Sequence, residues 1–150
     1  MLPNFIMTVG IPGSGKSSWI KSLNKYIIVN PDSIRKELSG DISNQDVNNQ
    51  AWILAKERTV AALIAGLDVI LDATNVSTRH RRIFIKGLPP CNLKAKVFDV
   101  KPMIAYGRIA NDIRLGVDRS NVPEKVVYRM YGEFLYTKKV LKQEGFNLTH

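Results

Sequence analysis

Short apolar segments alternate with segments of helical spacing along most of the chain. The apolar segments each end at a turn signal and cover residues 5–9, 26–30, 68–73 and 93–100. Helical character is found in residues 16–24, 33–38, 44–65, 78–86, 103–114 and 123–143. Such an alternation is typical of a parallel sheet that is covered by helices on both faces. We therefore predict an α/β fold.

The sequence also predicts where the longest helix ends and what the last residues form. Gly66 follows the predicted helix 44–65 at the place of a C-terminal cap. Residues 146–149 are predicted to form a last short strand. The chain has 150 residues, the usual size of one domain, and contains no internal repeat, low-complexity tract or linker. We therefore expect a single domain over residues 1–150.

The strongest local motif lies between the first predicted strand and the first predicted helix. Residues 10–17 read Gly-Ile-Pro-Gly-Ser-Gly-Lys-Ser and fit the phosphate-binding pattern G-x-x-x-x-G-K-[ST]. In such a loop the glycines let backbone N–H groups face phosphates, the lysine contacts the β and γ phosphates, and the serine hydroxyl can coordinate Mg²⁺. We predict that ATP and Mg²⁺ bind here, at Gly10, Pro12, Gly13, Ser14, Gly15, Lys16, Ser17 and Ser18.

Three classes of protein share this loop, and the remaining sequence separates them. A GTPase needs Asn-Lys-x-Asp to recognise its base, but Asn24 and Lys25 are followed by Tyr26 and Ile27. Many ATPases place a glutamate directly after a strand-ending aspartate to activate water, whereas Asp72 is followed by alanine, threonine and asparagine. The class that remains is the small kinases, which need a carboxylate to orient an acceptor hydroxyl and arginines to neutralise the transferring phosphoryl group.

Asp32 is the candidate for that carboxylate. It follows the predicted strand 26–30 and opens a helix, which places it at the carboxyl edge of the sheet beside the phosphate-binding loop. The alternative is that Asp32 or Ser33 only caps the helix. Arg35 lies one helical turn further on, where it could hold a phosphate of the acceptor or stand on a solvated helix face.

Five segments resemble the kinase domain of the bacteriophage polynucleotide 5′-kinase family in order and spacing. They are Gly-Ile-Pro-Gly-Ser-Gly-Lys-Ser-Ser-Trp at 10–19, Val-Asn-Pro-Asp-Ser-Ile-Arg at 29–35, Asp-Ala-Thr-Asn at 72–75, Val-Phe-Asp-Val at 97–100 and Val-Pro-Glu-Lys-Val-Val-Tyr-Arg-Met-Tyr at 122–131. The resemblance covers nearly the whole chain. It implies a P-loop kinase-type sheet with helices on both faces and a small lid that carries an arginine.

The resemblance also implies roles for individual residues. Asp32 matches the general base of the family, and Arg35 matches the arginine that contacts a 3′ phosphate of the acceptor. Arg114 is the best match to the lid arginine near the γ-phosphate. Arg119 is its rival, because the segment between residues 114 and 122 is longer than the family pattern. Lys16 and Ser17 match the lysine and serine of the family's phosphate-binding loop.

One motif departs from the family in a way that bears on the metal. The family has Asp-Thr-Asn where this chain has Ala-Thr-Asn, and the acid stands one place earlier as Asp72. We expect Asp72 and Ser17 to hold the Mg²⁺. We expect Asn75, together with Arg35 and Arg79, to contact the acceptor.

Net charge favours a nucleic-acid partner. Lysine and arginine number 22 against 13 for aspartate and glutamate, a formal charge of +9, although solubility alone would also explain the excess. The basic segment 78–82 is predicted to contribute Arg79, Arg81 and Arg82 to phosphate contacts, with a solvated helix surface as the alternative. His80 is expected at the surface or on a phosphate, and Trp19 and Trp52 are expected to pack in the core or between helices.

The remaining composition narrows location and chemistry. Cys91 is the only cysteine, so intrachain disulfides and cysteine metal clusters are excluded. The chain has no apolar run long enough to span a bilayer and no signal segment. We expect a soluble cytoplasmic protein, or one of the host cytoplasm if its source is a phage.

The sequence therefore predicts a P-loop phosphotransferase. The favoured reaction is transfer of the γ-phosphoryl group of ATP to the 5′-hydroxyl of DNA or RNA, as in repair of nucleic-acid ends, with Lys16, Asp32 and Arg114 as catalytic residues. The alternatives are a kinase for a hydroxylated base or a small-molecule hydroxyl, and a nucleotide-binding module with little catalysis.

Overall fold

One parallel sheet forms the centre of the molecule. The computed structural model describes residues 1–40 and 47–149. The five strands within these ranges lie in the order β2-β3-β1-β4-β5, and every neighbouring pair is parallel. They are β1 Asn4–Val9, β2 Ile27–Val29, β3 Val69–Leu71, β4 Asn92–Val97 and β5 Asn147–Thr149. The predicted α/β class with a parallel sheet is confirmed.

Six helices connect the strands in the described ranges. They are α1 Lys16–Lys21, α2 Pro31–Ser39, α3 Asn48–Ile64, α4 Thr78–Ile85, α5 Pro102–Arg114 and α6 Glu124–Val140. The first three residues of the predicted helix 44–65 lie outside the described ranges. That helix ends as predicted, because Gly66 follows it with a φ of 79°, a conformation that glycine adopts without strain. No helix in residues 1–40 or 47–149 is long and apolar enough to cross a membrane.

Helix α2 begins two residues earlier than the sequence pattern predicts. Pro31 occupies its first position, where the missing N–H of proline costs nothing. The side chain of Asn30 accepts a hydrogen bond of 3.2 Å from the backbone N–H of Ser33 and caps the helix. Asn30 therefore caps the helix, not Asp32 or Ser33, and Asp32 is the acidic residue of its first turn.

The core lies on both faces of the inner strands. Phe5, Met7 and Val9 of β1 are fully buried, as are all three residues of β3. Phe5 stacks on Phe84 of α4 with the ring centroids 5.8 Å apart. Each such side chain stabilises the fold by about 1.5–3 kcal/mol through removal of apolar surface from water. The rigid sheet that results fixes where the loops at its carboxyl edge start.

One buried arginine corrects the sequence-based prediction. Arg81 is fully buried, so the prediction that it contacts nucleic-acid phosphates is wrong. Its Nε and Nη2 donate to the two carboxylate oxygens of Glu144, each at 2.8 Å, and its Nη1 donates to Thr137 Oγ1 and to the carbonyl of Asn75. Arg81 lies three residues before Phe84 and shares the inward face of α4, whereas Arg79 and Arg82 are exposed on the other faces.

Candidate active site

The phosphate-binding loop joins β1 to α1 at the carboxyl edge of the sheet. Gly13 and Gly15 have φ angles of 81° and 101°, which side chains rarely tolerate. A Cβ on Gly13 would also lie 2.3 Å from the carbonyl oxygen of Ala105 in α5. The loop can therefore take this shape only with glycine at residue 13, because any side chain would collide with α5.

Lys16 is folded back onto its own loop. Its Nζ donates to the carbonyl oxygens of Gly10 and Ile11 at 2.8 and 2.7 Å and to Ser14 Oγ at 3.2 Å. Burial lowers the pKa of Lys16 to about 8, and the nearby charge of Asp72 partly opposes this shift. The structure thus brings the loop lysine and the strand-ending carboxylate together, as the parallel topology requires.

Asp72 stands directly after β3 and faces the loop. Its Oδ2 accepts a hydrogen bond of 2.9 Å from Asn30 Nδ2. Burial raises the pKa of Asp72, while the charge of Lys16 and the hydrogen bond from Asn30 act in the opposite direction. Ser17, the residue after Lys16, is exposed.

Those two oxygen donors fit a Mg²⁺ ion. Magnesium binds hard oxygen ligands, keeps several waters and usually takes only one or two protein ligands besides the phosphates of its substrate. One carboxylate, Asp72, and one hydroxyl, Ser17, flank the same lysine, which suits that mode. The described residues contain no group of three or more His, Cys, Asp or Glu side chains that could form an all-protein metal cage.

Asp32 and Arg35 form an ion pair on the first turns of α2. The side chain of Asp32 is about half exposed, at 48%, whereas that of Arg35 is 10% exposed. Arg35 Nη1 also donates to Asn48 Oδ1 at 2.8 Å, which links α2 to the start of α3. The guanidinium is thus held between its neighbours, and the carboxylate of Asp32 is oriented by it.

Two arginines, one at the end of α5 and one in the following segment, are the candidates for the predicted lid role. Arg114 is exposed, and its Nη2 donates to Asn111 Oδ1, one turn back on α5. Arg119 pairs with Asp112 at 2.7 Å, and its charge is close enough to lower the pKa of Lys16. Its buried Nε has no hydrogen-bond partner among the described residues, so a donor is left over for an anion. Its position thus favours Arg119 over Arg114 for this role.

Arg108 is a residue that sequence reasoning missed. Its Nη1 donates to the carbonyl of Gly13 at 3.2 Å and lies 3.9 Å from where a Cβ on Gly15 would stand. It is exposed and lies directly on the phosphate-binding loop. No motif points to it, because only the packing of α5 against the loop brings it there.

A cleft of about 470 Å³ opens beside these residues at the carboxyl edge. Helices α3, α4 and α6 and the segment after β3 form its walls, with Asn48, Trp52, Asn75, His80, Arg129 and Glu133 among the lining residues. Asn75, which is predicted to contact the acceptor, lines the cleft. Its amide nitrogen is already bonded, since it donates to the carbonyls of Thr8 and Leu71 at 2.7 and 3.3 Å and so links β1 to β3. Arg79 is exposed on α4.

Together, the loop, the carboxylates and the parallel sheet define a P-loop kinase-type phosphotransferase fold, which generally binds a nucleoside triphosphate. The chain belongs to the AAA domain family (AAA_33), whose model matches residues 5–135. No curated protein matches the sequence.

Solved structures agree with this assignment. A chain of the Pnkp1/Rnl/Hen1 RNA repair complex is 25% identical with a TM-score of 0.76, over 92% of this chain and 46% of that one. A second structure of the Pnkp1/Rnl/Hen1 complex is 27% identical with a TM-score of 0.58, over 69% and 38%. A putative kinase from Chloroflexus aurantiacus shares the fold at 15% identity, with a TM-score of 0.67 over 85% and 78%. This chain spans less than half the length of the two repair-complex chains.

Proposed function

We propose that the protein is an ATP-dependent polynucleotide 5′-hydroxyl kinase that acts in repair of DNA or RNA ends. The observation that carries this proposal is the Asp32–Arg35 ion pair, which joins the phosphate-binding edge of the sheet to the neighbouring cleft through Asn48. The likeness to a chain of an RNA repair complex supports the choice of a nucleic-acid end as acceptor.

On the donor side, the loop residues Gly10 to Ser18 would bind the triphosphate of ATP. Lys16 would exchange its three contacts within the loop for contacts with the β and γ phosphates. Ser17 and Asp72 would hold Mg²⁺, which neutralises phosphate charge when bound. Arg119, with Arg108 at the loop, would stabilise the charge that spreads over the transferring phosphoryl group.

On the acceptor side, Asp32 would act as the general base. Its carboxylate would accept the proton of the 5′-hydroxyl while the hydroxyl oxygen forms a bond to the γ-phosphorus and the bond to the β-phosphate oxygen breaks. ADP and a 5′-phosphorylated strand are the products. Arg35 would orient Asp32 and contact the 3′ phosphate of the reacting nucleotide.

The test compares kcat/KM for a 5′-hydroxyl oligonucleotide, a 3′-nucleotide and the bare nucleoside. We expect the nucleoside to be about tenfold to a hundredfold worse, because it lacks the phosphate for a charge-assisted hydrogen bond. Arg35→Ala should slow all three through the loss of orientation of Asp32, and should cost the two phosphorylated acceptors more. Arg58→Ala is the matched control, because it removes an equally charged side chain that pairs with Glu37 on the exposed face of α2.

Two results would overturn the proposal. One is equal efficiency for the nucleoside, or for an unrelated sugar, and the oligonucleotide. The other is an Arg35→Ala cost that is the same for all three acceptors. In either case a kinase for a small molecule would take its place. Oligonucleotide affinity should also fall steeply with salt, because phosphate contacts release counterions.

A further inference from the structure

A second cleft, of about 430 Å³, lies between α3 and α4 and adjoins the cleft of about 470 Å³, which is called the acceptor cleft because the proposed function places the acceptor there. Asn48, Trp52 and His80 line both clefts, so the two are continuous. Most of the surface that lines the second cleft is apolar, and Ile53, Ile83 and Phe84 contribute to it. The proposed function uses only the first cleft and leaves this second one without a ligand.

Trp52 forms the boundary between the two clefts, and its ring is held in one orientation. It makes edge-to-face contacts with Phe84, at 6.0 Å and 77°, and with His80, at 6.1 Å and 70°. The indole is nevertheless partly exposed. Ile53 and Ile83 are 61% and 58% exposed at the same cleft. A fixed aromatic ring with apolar flanks and an open side suits a flat apolar ligand that stacks on it.

The charges around the second cleft favour a ligand that carries phosphates. Arg79 and Arg82 are exposed on α4, and Lys56 lies in the lining. Glu57 is the acidic residue of the lining. Lys56 Nζ is already bonded to the carbonyls of Phe84 and Lys86 at 2.5 and 2.8 Å. Arg79 and Arg82 are the sequence neighbours of the lining residues His80 and Ile83 and are exposed on α4.

Spacing along α3 connects this cleft to the proposed reaction centre. Asn48, which accepts the hydrogen bond from Arg35, Trp52 and Lys56 are four residues apart and share one face of the helix. Each step of four residues advances about 6 Å along the helix axis. A strand whose first phosphate lies at Arg35 would therefore pass Asn48 and reach Trp52 with its next base.

We propose that the second cleft binds the nucleobase of the second nucleotide of the acceptor strand, stacked on Trp52. This subsite rests on the proposed polynucleotide kinase function. It makes Trp52 a residue that determines the preference for a strand over a mononucleotide, and it gives the acceptor strand a direction, away from the phosphate-binding loop along the groove between α3 and α4.

The first experiment uses the unaltered protein and two 5′-hydroxyl trinucleotides, one complete and one abasic at the second nucleotide. We expect the abasic acceptor to lose about tenfold or more in kcat/KM, because stacking of a base on an aromatic ring contributes strongly to binding. Equal efficiency of the two acceptors would overturn the subsite. Failure to phosphorylate either one, or a 3′-nucleotide, would instead overturn the proposed function.

The second experiment places the effect at Trp52. Trp52→Ala should lower kcat/KM about tenfold more for the complete trinucleotide than for the abasic trinucleotide or a 3′-nucleotide, and Trp52→Phe should restore part of that difference. Ile64→Ala, which removes an exposed apolar side chain from the same helix, should change none of them. An equal loss on all acceptors, or the same loss with Trp52→Phe as with Trp52→Ala, would contradict the proposal.

A direct binding measurement completes the test without turnover. Trp19 and Trp52 are the two tryptophans of the chain, so Trp19→Phe leaves Trp52 as the sole indole. Addition of the complete trinucleotide without ATP should quench its fluorescence, and the abasic trinucleotide should quench it far less. Equal quenching by both strands would contradict a base-specific site at Trp52.

Discussion

The phosphate-binding loop and the acceptor cleft lie side by side at the carboxyl edge of the sheet, but they are built in opposite ways. The loop is one run of eight residues whose shape depends on glycines at positive φ and on the close approach of Gly13 to Ala105. The cleft draws single side chains from α3, α4, α6 and the segment after β3. The shape of the loop therefore rests mainly on its backbone, and the lining of the cleft rests on side chains.

This difference explains why a fold can stay the same while its acceptor changes. Backbone N–H groups that face phosphates need only the loop and its glycines. The walls of the cleft are mostly helix side chains that lie outside the sheet, whereas the lining residue Asn75 also ties β1 to β3.

The largest loss of activity is expected from Lys16→Ala in the phosphate-binding loop. We expect a loss of about 10³-fold or more in kcat, because the charge at the β and γ phosphates is removed. The fold should survive, since the described hydrogen bonds of the Lys16 side chain stay within its own loop. Steady-state kinetics and thermal unfolding check both statements. Near-normal turnover would remove the loop from the mechanism.

Asp32→Asn tests the proposed general base, which would act on the acceptor hydroxyl. We expect ATP binding to persist and the rate to fall about 10²- to 10⁴-fold, the usual cost of losing a positioned base. Ser33→Ala is the control, because Ser33 is the exposed neighbour of Asp32 on the same turn of α2 and its replacement should leave both rate and stability nearly unchanged. A variant Asp32→Asn that loses Tm but keeps its rate per folded molecule would show that Asp32 is structural.

Two alanine variants test which arginine acts as the lid arginine near the γ-phosphate. Arg119→Ala should lower kcat about 10²-fold, because it removes a positive charge that acts at Lys16. Arg114→Ala should change kcat by less than about threefold, since its guanidinium is exposed and bonded to Asn111. The reverse ranking of the two variants in steady-state assays would restore Arg114 as the lid arginine.

Among these variants, a substitution of Arg81 should change kcat least. It should clearly lower the free energy of unfolding. Arg81→Met would leave the carboxylate of Glu144 without its partner and destabilise the fold by about 3 kcal/mol, measured by urea unfolding. Lys138→Met, which breaks the exposed pair with Asp99, is the matched control and should leave the unfolding midpoint nearly unchanged. An unchanged midpoint for Arg81→Met would show that the hydrogen bonds of Arg81 to Glu144, Thr137 and Asn75 do not stabilise the fold.

Sequence patterns predicted the helices and strands of the fold to within a few residues in most elements. The alternation of apolar and helical segments was enough, because a parallel sheet needs a crossover between every two strands. The pattern failed at the start of α2, where a proline and an asparagine cap begin the helix before its apolar spacing does. It also failed at Arg81, since a charged residue on a helix is usually solvated and only a partner as remote as Glu144 makes its burial tolerable.

The sequence by itself determined the phosphate-binding loop, since its glycines, lysine and serine are neighbours and local geometry follows from local residues. Only the tertiary structure decided which distant side chains meet: Asn30 with Asp72, Arg35 with Asn48, Arg108 with the loop, and Trp52 with His80. The physical reason is that one-residue errors in register or helix phase rotate a side chain to another face. Contacts between elements depend on that phase, and packing of the whole core sets it.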